Sequence, residues 1–204
     1  MALSSYGRSH LIPRRDDPAM RGAASGLLTL STRKHAEEAH QPALNTVEVR
    51  EFATVRTPVG LLSIGGTNAA VDSVRFVSNG EPGFEGSGDG AVAQAVEELQ
   101  EYFAGRLRKF TVTTRFDHGT PFQRSVWKQI SRIPFGGALT YGEIAAKISS
   151  PGAVRAVWTA CGANPIAVIV PCHRVLAAGR KIGGFGGGLE NKRWLLKHEG
   201  VTVP

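Results

Sequence analysis

The residue in this sequence best placed to do chemistry is Cys172, inside the pentapeptide Pro171-Cys172-His173-Arg174-Val175. A lone cysteine is usually a small packing residue, but three features set this one apart. It follows the apolar run IAVIV (166–170), which reads as a buried strand or extended segment. It sits at a turn imposed by Pro171, a way to present a reactive side chain. His173 and Arg174 add neighbouring positive charge that favours the thiolate, the nucleophilic form. On an extended chain adjacent side chains point to opposite faces, so His173 reaches the sulfur only through a bridging water or a turned backbone.

Downstream, IGGFGGGLE places Gly183, Gly184, Gly186, Gly187 and Gly188 around Phe185. It lacks the Gly-Lys-Ser/Thr ending of a phosphate loop. It reads either as a flexible turn or as a wall where a flat ligand approaches bare backbone. The last helix, ENKRWLLKHEG, is expected to bury Trp194 and Leu195 and to end on Glu199. A carboxylate there is disfavoured by the helix dipole, so it sits in water or has a cationic partner such as His173.

The elements that must position these groups fall into two blocks. VEVREFATV, TPVGLLSIGG and VDSVRFVS read as three strands, 79–90 as a loop, and AVAQAVEELQEYFAG as an amphipathic helix. Its stripe is Val92, Val96, Leu99 and Phe103, and Gly105 stops it. These make a small α+β unit over 46–117 with no catalytic cluster. From 118 onward the pattern is helical. Thr120-Pro121-Phe122-Gln123 is a capping box with Pro at the first helical position, and Phe122, Val126 and Ile130 face inward. Thr140-Tyr141-Gly142-Glu143 is a second capping box. Ser149-Ser150-Pro151-Gly152 is a tight turn, and a further helix runs from Ala153 to Cys161. Two short helices across such a turn match a helix-turn-helix.

Charge separates the same blocks. The chain of 204 residues carries +7, but 1–45 contribute +2, 46–117 contribute −3 and 118–204 contribute +8. A block this basic, carrying a helix-turn-helix, points to nucleic acid rather than a merely solvated surface. Residues 1–45 lack periodicity and read as a disordered tail; their arginines resemble a transit peptide, but Asp16 and Asp17 argue against one. Two cysteines cannot build a disulfide framework or a Cys-rich zinc site. No apolar run reaches the roughly 18 residues of a membrane span, and the N-terminus lacks the order of a secretory signal. A cytoplasmic protein is expected, nucleoid-associated if prokaryotic.

The segments TPFQRSVWKQISRIPFGGALTYGEIA, PGAVRAV, NPIAVIVPCHRV, the Gly-rich turn and KRWLLKHEG closely resemble the O6-alkylguanine-DNA alkyltransferases, with a weaker likeness over 46–117. The resemblance implies a ribonuclease H-like N-terminal domain and a winged helix-turn-helix C-terminal domain whose recognition helix lies in the minor groove. It implies that Cys172 accepts the alkyl group of O6-alkylguanine, and of O4-alkylthymine, once and irreversibly. His173 then acts as base through a water, with Glu199 orienting it, Asn164 bracing the turn and Tyr141 donating a proton to the guanine ring. Arg155 fills the gap left by the flipped nucleotide, since the O6 carbon is out of reach in a stacked duplex. Thr140, Tyr141, Ala153 and Gly162 join it against DNA. Val175, Phe185, Gly186, Trp158 and Cys161 line the pocket, with the carbonyls of Cys172 and Val175 accepting from the guanine amine.

Departures from the family pattern are Gly186 where some relatives have serine, Phe185 where many have tyrosine, and Trp158 where a small residue is usual. Cys161 reads as packing rather than a second acceptor. With no cysteine before Cys161, no metal is expected, and no cofactor; the partner is double-stranded DNA bound by a monomer. Two rival readings are a lesion binder that transfers nothing, which Cys172 argues against, and a cysteine hydrolase, which leaves the basic helix-turn-helix unexplained.

Overall fold

The computed structural model describes residues 48–204; the expectation of a disordered tail falls outside that range. Four strands form one antiparallel sheet in the order β3-β2-β1-β4: β1 (Arg50–Thr57), β2 (Gly60–Thr67), β3 (Val71–Val77) and β4 (Gly83–Glu85). Along β1 the burial alternates, with Glu51, Ala53 and Val55 inward, as the period-two pattern requires. The β1–β2 turn is Pro58-Val59, closed at Gly60, whose φ of 104° suits glycine. β4 is a correction to the reading of 79–90 as loop. Three of its residues pair with Phe52, Ala53 and Thr54, a strand too short for its periodicity to register.

Helix α1 (Ala91–Phe103) covers the sheet with Ala91, Val92, Ala95, Leu99 and Tyr102. Val96 and Phe103, assigned to that stripe from sequence, are only partly buried, while Tyr102 is fully buried. Gly105, at φ 77°, follows the helix end as expected.

The second half carries α2 (Pro121–Ile130), β5 (Leu139–Thr140), α3 (Tyr141–Lys147), α4 (Val154–Gly162), β6 (Val175–Leu176) and α5 (Leu189–His198). Both capping boxes form. Thr120 Oγ1 accepts from Gln123 N at 3.2 Å and Gln123 Oε1 from Thr120 N at 2.8 Å; Thr140 and Glu143 repeat the exchange. The buried Trp127 Nε1 donates to Ala160 O at 2.8 Å and pins α2 to α4. One apolar core runs continuously from the sheet into α2, α3 and α4.

The run 166–170 is buried but is not a strand. Its backbone is satisfied by turns, with Val170 N donating to Ile166 O at 2.9 Å and Cys172 N to Val170 O at 2.8 Å. Val168 is left-handed, at φ 69°. Asn164 starts this path by taking Ile166 N onto Oδ1 at 3.1 Å, a local side-chain bond that diverts the chain from a ladder. The sheet meets the segment at Val74, whose N–H donates to Pro165 O and whose carbonyl accepts from Ala167 N, both at 2.9 Å. On α5, Lys192, Leu195 and Leu196 are buried. Trp194 is only partly buried, stacked on His198 with ring centroids 4.8 Å apart, which corrects its expected place in the core.

Candidate active site

Cys172 opens a one-turn 3-10 helix, Cys172–Arg174. The turned backbone lets neighbouring side chains diverge without alternating strictly. The thiol points to Asn164, whose Nδ2 lies 3.2 Å from Sγ and also donates to Val170 O at 2.8 Å. It faces a cavity of about 490 Å³ lined by Tyr141 from α3, by Trp158, Thr159, Cys161 and Gly162 from α4, and by Gly184, Phe185 and Gly186. The glycine-rich segment therefore forms a wall of bare backbone. An added Cβ on Gly184 would stand 3.1 Å from Trp158 Nε1, and one on Gly187 only 2.4 Å from Phe76. A short parallel pairing, Leu139 with Val175 and Thr140 with Leu176, holds the start of α3 beside the cysteine segment. Tyr141 Oη reaches Gly184 O at 3.4 Å.

Behind the thiol lies a buried polar cluster centred on Glu199. Its Oε1 accepts from Tyr102 Oη at 2.6 Å, His173 Nε2 at 2.9 Å and Arg174 Nη2 at 2.8 Å; its Oε2 accepts from Arg174 Nε at 2.8 Å. Burial opposes ionisation of Glu199, but the bonds from His173 and Arg174 outweigh it and hold the carboxyl well below its usual range. Arg174 thus neutralises Glu199, and burial pushes His173 below its ordinary pKa. The imidazole is neutral, with its Nε2 proton on Glu199, and among the described residues its Nδ1 has no partner.

These arrangements correct the charge argument made for Cys172. His173 is neutral and Arg174 is spent on Glu199, so neither is a free cation beside the sulfur. Burial pushes the Cys172 thiol up, while the Asn164 hydrogen bond and the charge of Lys192 pull it down. Burial and the neighbouring thiols likewise raise Tyr141 to about 12, and burial and Cys172 raise Cys161 to about 12.

The other sequence-assigned residues line the cavity or its rim, except Ala153 and Val175. Trp158 is 52% exposed and separates the cavity from an apolar trough along Thr140, Tyr141, Val154, Arg155, Ala177 and Gly183. Arg155 is exposed on the first turn of α4, and Gly162 at its end. Ala153 is the residue before α4 and lines neither hollow. Val175 does not line the cavity; its side chain is fully buried, and its carbonyl accepts from Lys192. Lys192 and Tyr102 were missed from sequence. Lys192, Leu195, Leu196 and Glu199 follow the i, i+3, i+4, i+7 spacing of one helix face, a signal that placed the lysine inside. Among the described residues no three His, Cys, Asp or Glu converge as metal ligands, and no helix is long and apolar enough to cross a membrane.

The protein's class follows from the match of residues 121–201 to the family model described as 6-O-methylguanine DNA methyltransferase, DNA binding domain, a stretch that contains the buried Cys172 and helices α2 to α5. The chain is 45% identical over 152 residues to the methylated-DNA–protein-cysteine methyltransferase of Mycolicibacterium paratuberculosis, covering 73% of this chain and 92% of that protein. It is 47% identical over 107 residues to the Salmonella typhimurium protein of the same name, covering 52% of this chain and 63% of that one. The Mycobacterium tuberculosis enzyme OGT, solved in complex with DNA, superposes with a TM-score of 0.65 at 41% identity, over 72% of this chain and 91% of that one. The chain belongs to the methylated-DNA–protein-cysteine methyltransferase family.

Proposed function

We propose that this protein repairs DNA by direct reversal, taking the alkyl group of O6-alkylguanine, and of O4-alkylthymine, irreversibly onto Cys172. The observation that carries the reading is the Cys172 thiol opening into an apolar cavity with Asn164 on its sulfur and the neutral His173 ring, bonded to the Glu199 carboxylate, behind it. His173 Nδ1 takes the thiol proton through a water. Sulfur bonds to the alkyl carbon as the carbon–O6 bond breaks, the electron pair passes into the purine, and a proton from Tyr141 restores guanine. His173 and Tyr141 then re-equilibrate with solvent, and the thioether remains.

The sheet with α1 is read as a ribonuclease H-like domain over 46–117, and 118–204 as a winged helix-turn-helix domain with α4 as recognition helix. On that reading Thr140, Tyr141, Ala153, Arg155 and Gly162 meet the minor groove, and Arg155 takes the place of the flipped base. Trp158, Cys161, Phe185 and Gly186 wall the guanine and the carbonyl of Cys172 faces its amine, whereas the Val175 carbonyl, expected beside that amine, is taken by Lys192 outside the cavity lining. The protein acts as a monomer on duplex DNA, without metal or cofactor, in the cytoplasm, and with the nucleoid if the cell is prokaryotic.

The deciding experiment mixes the protein with excess duplex containing O6-methylguanine. The expected end point is one methyl group per protein, on the Cys172 peptide. Turnover beyond one refutes the reading, and tight lesion binding with unmodified sulfur points to a binder.

A further inference from the structure

Cys172 borders a second hollow besides the cavity described above. It measures about 200 Å³ and is lined by Val74 and Phe76 of β3, by Asn164 and by Ala167. The two hollows share Cys161, Gly162, Cys172, Phe185 and Gly186, so the sulfur stands at their junction. One charged side chain belongs to the second lining, the exposed Arg75 of β3.

Arg75 has charge to spare. Among the described residues it makes no ion pair. Two carboxylates, Asp72 and Asp117, line a polar cleft that Arg75 also borders. Both are engaged, Asp72 by Arg50 and Asp117 by Arg115, each at 2.7 Å. An exposed guanidinium needs no internal partner, because water serves it. What sets this one apart is the hollow it shares with the acceptor sulfur, since a guanidinium is a strong and directional partner for a carboxylate.

A methyl group has no use for this space. During transfer the carbon lies in line between O6 and Sγ, so any substituent on that carbon projects sideways. With guanine in the larger cavity, the second hollow is the room left beside the sulfur. Its lining is apolar at Val74, Phe76 and Ala167 and carries a single guanidinium. That pattern suits a short chain ending in a carboxylate.

We propose that Arg75 is a specificity-determining residue: it draws O6-carboxyalkyl groups into the second hollow by pairing with their terminal carboxylate. This substrate class rests on the alkyl-transfer reading, whereas the charge beside the sulfur is measurable without DNA. For a carboxymethyl group, the Sγ–carbon bond forms as the carbon–O6 bond breaks and the electron pair passes into the purine. The protons move as in methyl transfer, and the carboxylate stays unchanged against Arg75.

The test uses two reagents that deliver such groups without DNA. Iodoacetate places a carboxymethyl group on Cys172 and iodoacetamide a neutral carbamoylmethyl group, each forming an Sγ–carbon bond and releasing iodide. Both consume the same thiolate, so the ratio of their rates cancels any change in the ionisation of Cys172. Rates are read from the mass of the Cys172 peptide in the full-length wild type, Arg75→Gln, Arg75→Glu and Lys128→Gln. Arg75 is exposed, so its replacement leaves the core intact; Lys128 is exposed on α2 and lines neither hollow. The iodoacetate-to-iodoacetamide ratio is expected to fall about fivefold in Arg75→Gln, the upper end for an exposed ion pair, and further in Arg75→Glu. An unchanged ratio in Arg75→Gln overturns the proposal. So does an equal fall in Lys128→Gln, which reports only the net charge of the chain.

Duplexes carrying O6-carboxymethylguanine or O6-carbamoylmethylguanine extend the comparison to single-turnover transfer from DNA. The preference for the carboxymethyl group is expected to follow the same order of variants. A preference that does not move with Arg75 overturns the substrate class. If the wild type takes nothing from O6-methylguanine, the repair reading falls, while the reagent ratio still decides the charge beside the sulfur.

Discussion

Tyr102 Oη donates to Glu199 Oε1 at 2.6 Å, across 97 positions of sequence and without solvent contact. The bond joins the helix on the sheet to the carboxylate against which His173 and Arg174 are aligned. Tyr102→Phe removes one donor and leaves the three from His173 and Arg174. Hydrogen bonds to charged groups contribute about 1.5–3 kcal/mol, so denaturant unfolding is expected to register a loss of that order. A single-turnover assay on methylated duplex is expected to slow several-fold as the imidazole loses its fixed orientation.

Breaking the Arg174–Glu199 pair is expected to cost more. Arg174→Met leaves a buried carboxylate short of its counter-charge, a change of about 3–5 kcal/mol. His173 then becomes the sole cationic partner of Glu199, so its pKa is expected to rise. An NMR titration of the imidazole carbon protons checks that direction.

The pH dependence of transfer follows from Cys172 being raised by burial. Thiolate is scarce at neutrality, so the rate of thioether formation is expected to climb with pH through and beyond the ~8.5 of a free cysteine. Stopped-flow rates between pH 6 and 9.5 test it; a plateau reached below pH 8 contradicts it.

Stability has the opposite margin. His173 and Glu199 both have lowered pKa values in the folded state, so the unfolded chain binds more protons in acid. The stabilisation is present above the ordinary pKa of each group and is lost as pH falls below it, first near ~6.5 for His173 and then near ~4.3 for Glu199. Urea midpoints are expected to drop between pH 7 and 5, and His173→Gln should flatten that drop.

Gly187 offers a steric check. Its added Cβ would lie 2.4 Å from the Phe76 ring, so Gly187→Ala is expected to lose about 1–3 kcal/mol by overpacking. The loss should appear in thermal melts whether or not DNA is present.

Much of this was legible in the sequence because the signals are local. Thr120 with Gln123 and Thr140 with Glu143 wrote their helix starts within four residues, and β1 wrote its alternation within eight. The PCHRV pentapeptide and the Glu199 position marked the reactive centre. What stayed hidden depends on long-range closure. The path of 166–170 looks like a strand by composition, yet Asn164 and Pro165 bend it into turns that no periodicity records. The β5–β6 pairing is two residues long. The neutrality of His173 requires knowing that its ring is buried and that Arg174 already serves the same carboxylate, and Arg174 read locally looked like a charge for the sulfur.

The Val74 bridges to Pro165 and Ala167 have a colloidal consequence. An open strand edge is a template for pairing between molecules, and here the segment leading to the acceptor thiol blocks that edge of β3. The segment that carries the acceptor thiol thus also shields the sheet from strand pairing between molecules, together with Thr113 and Arg115, which bond Val71 on the same edge.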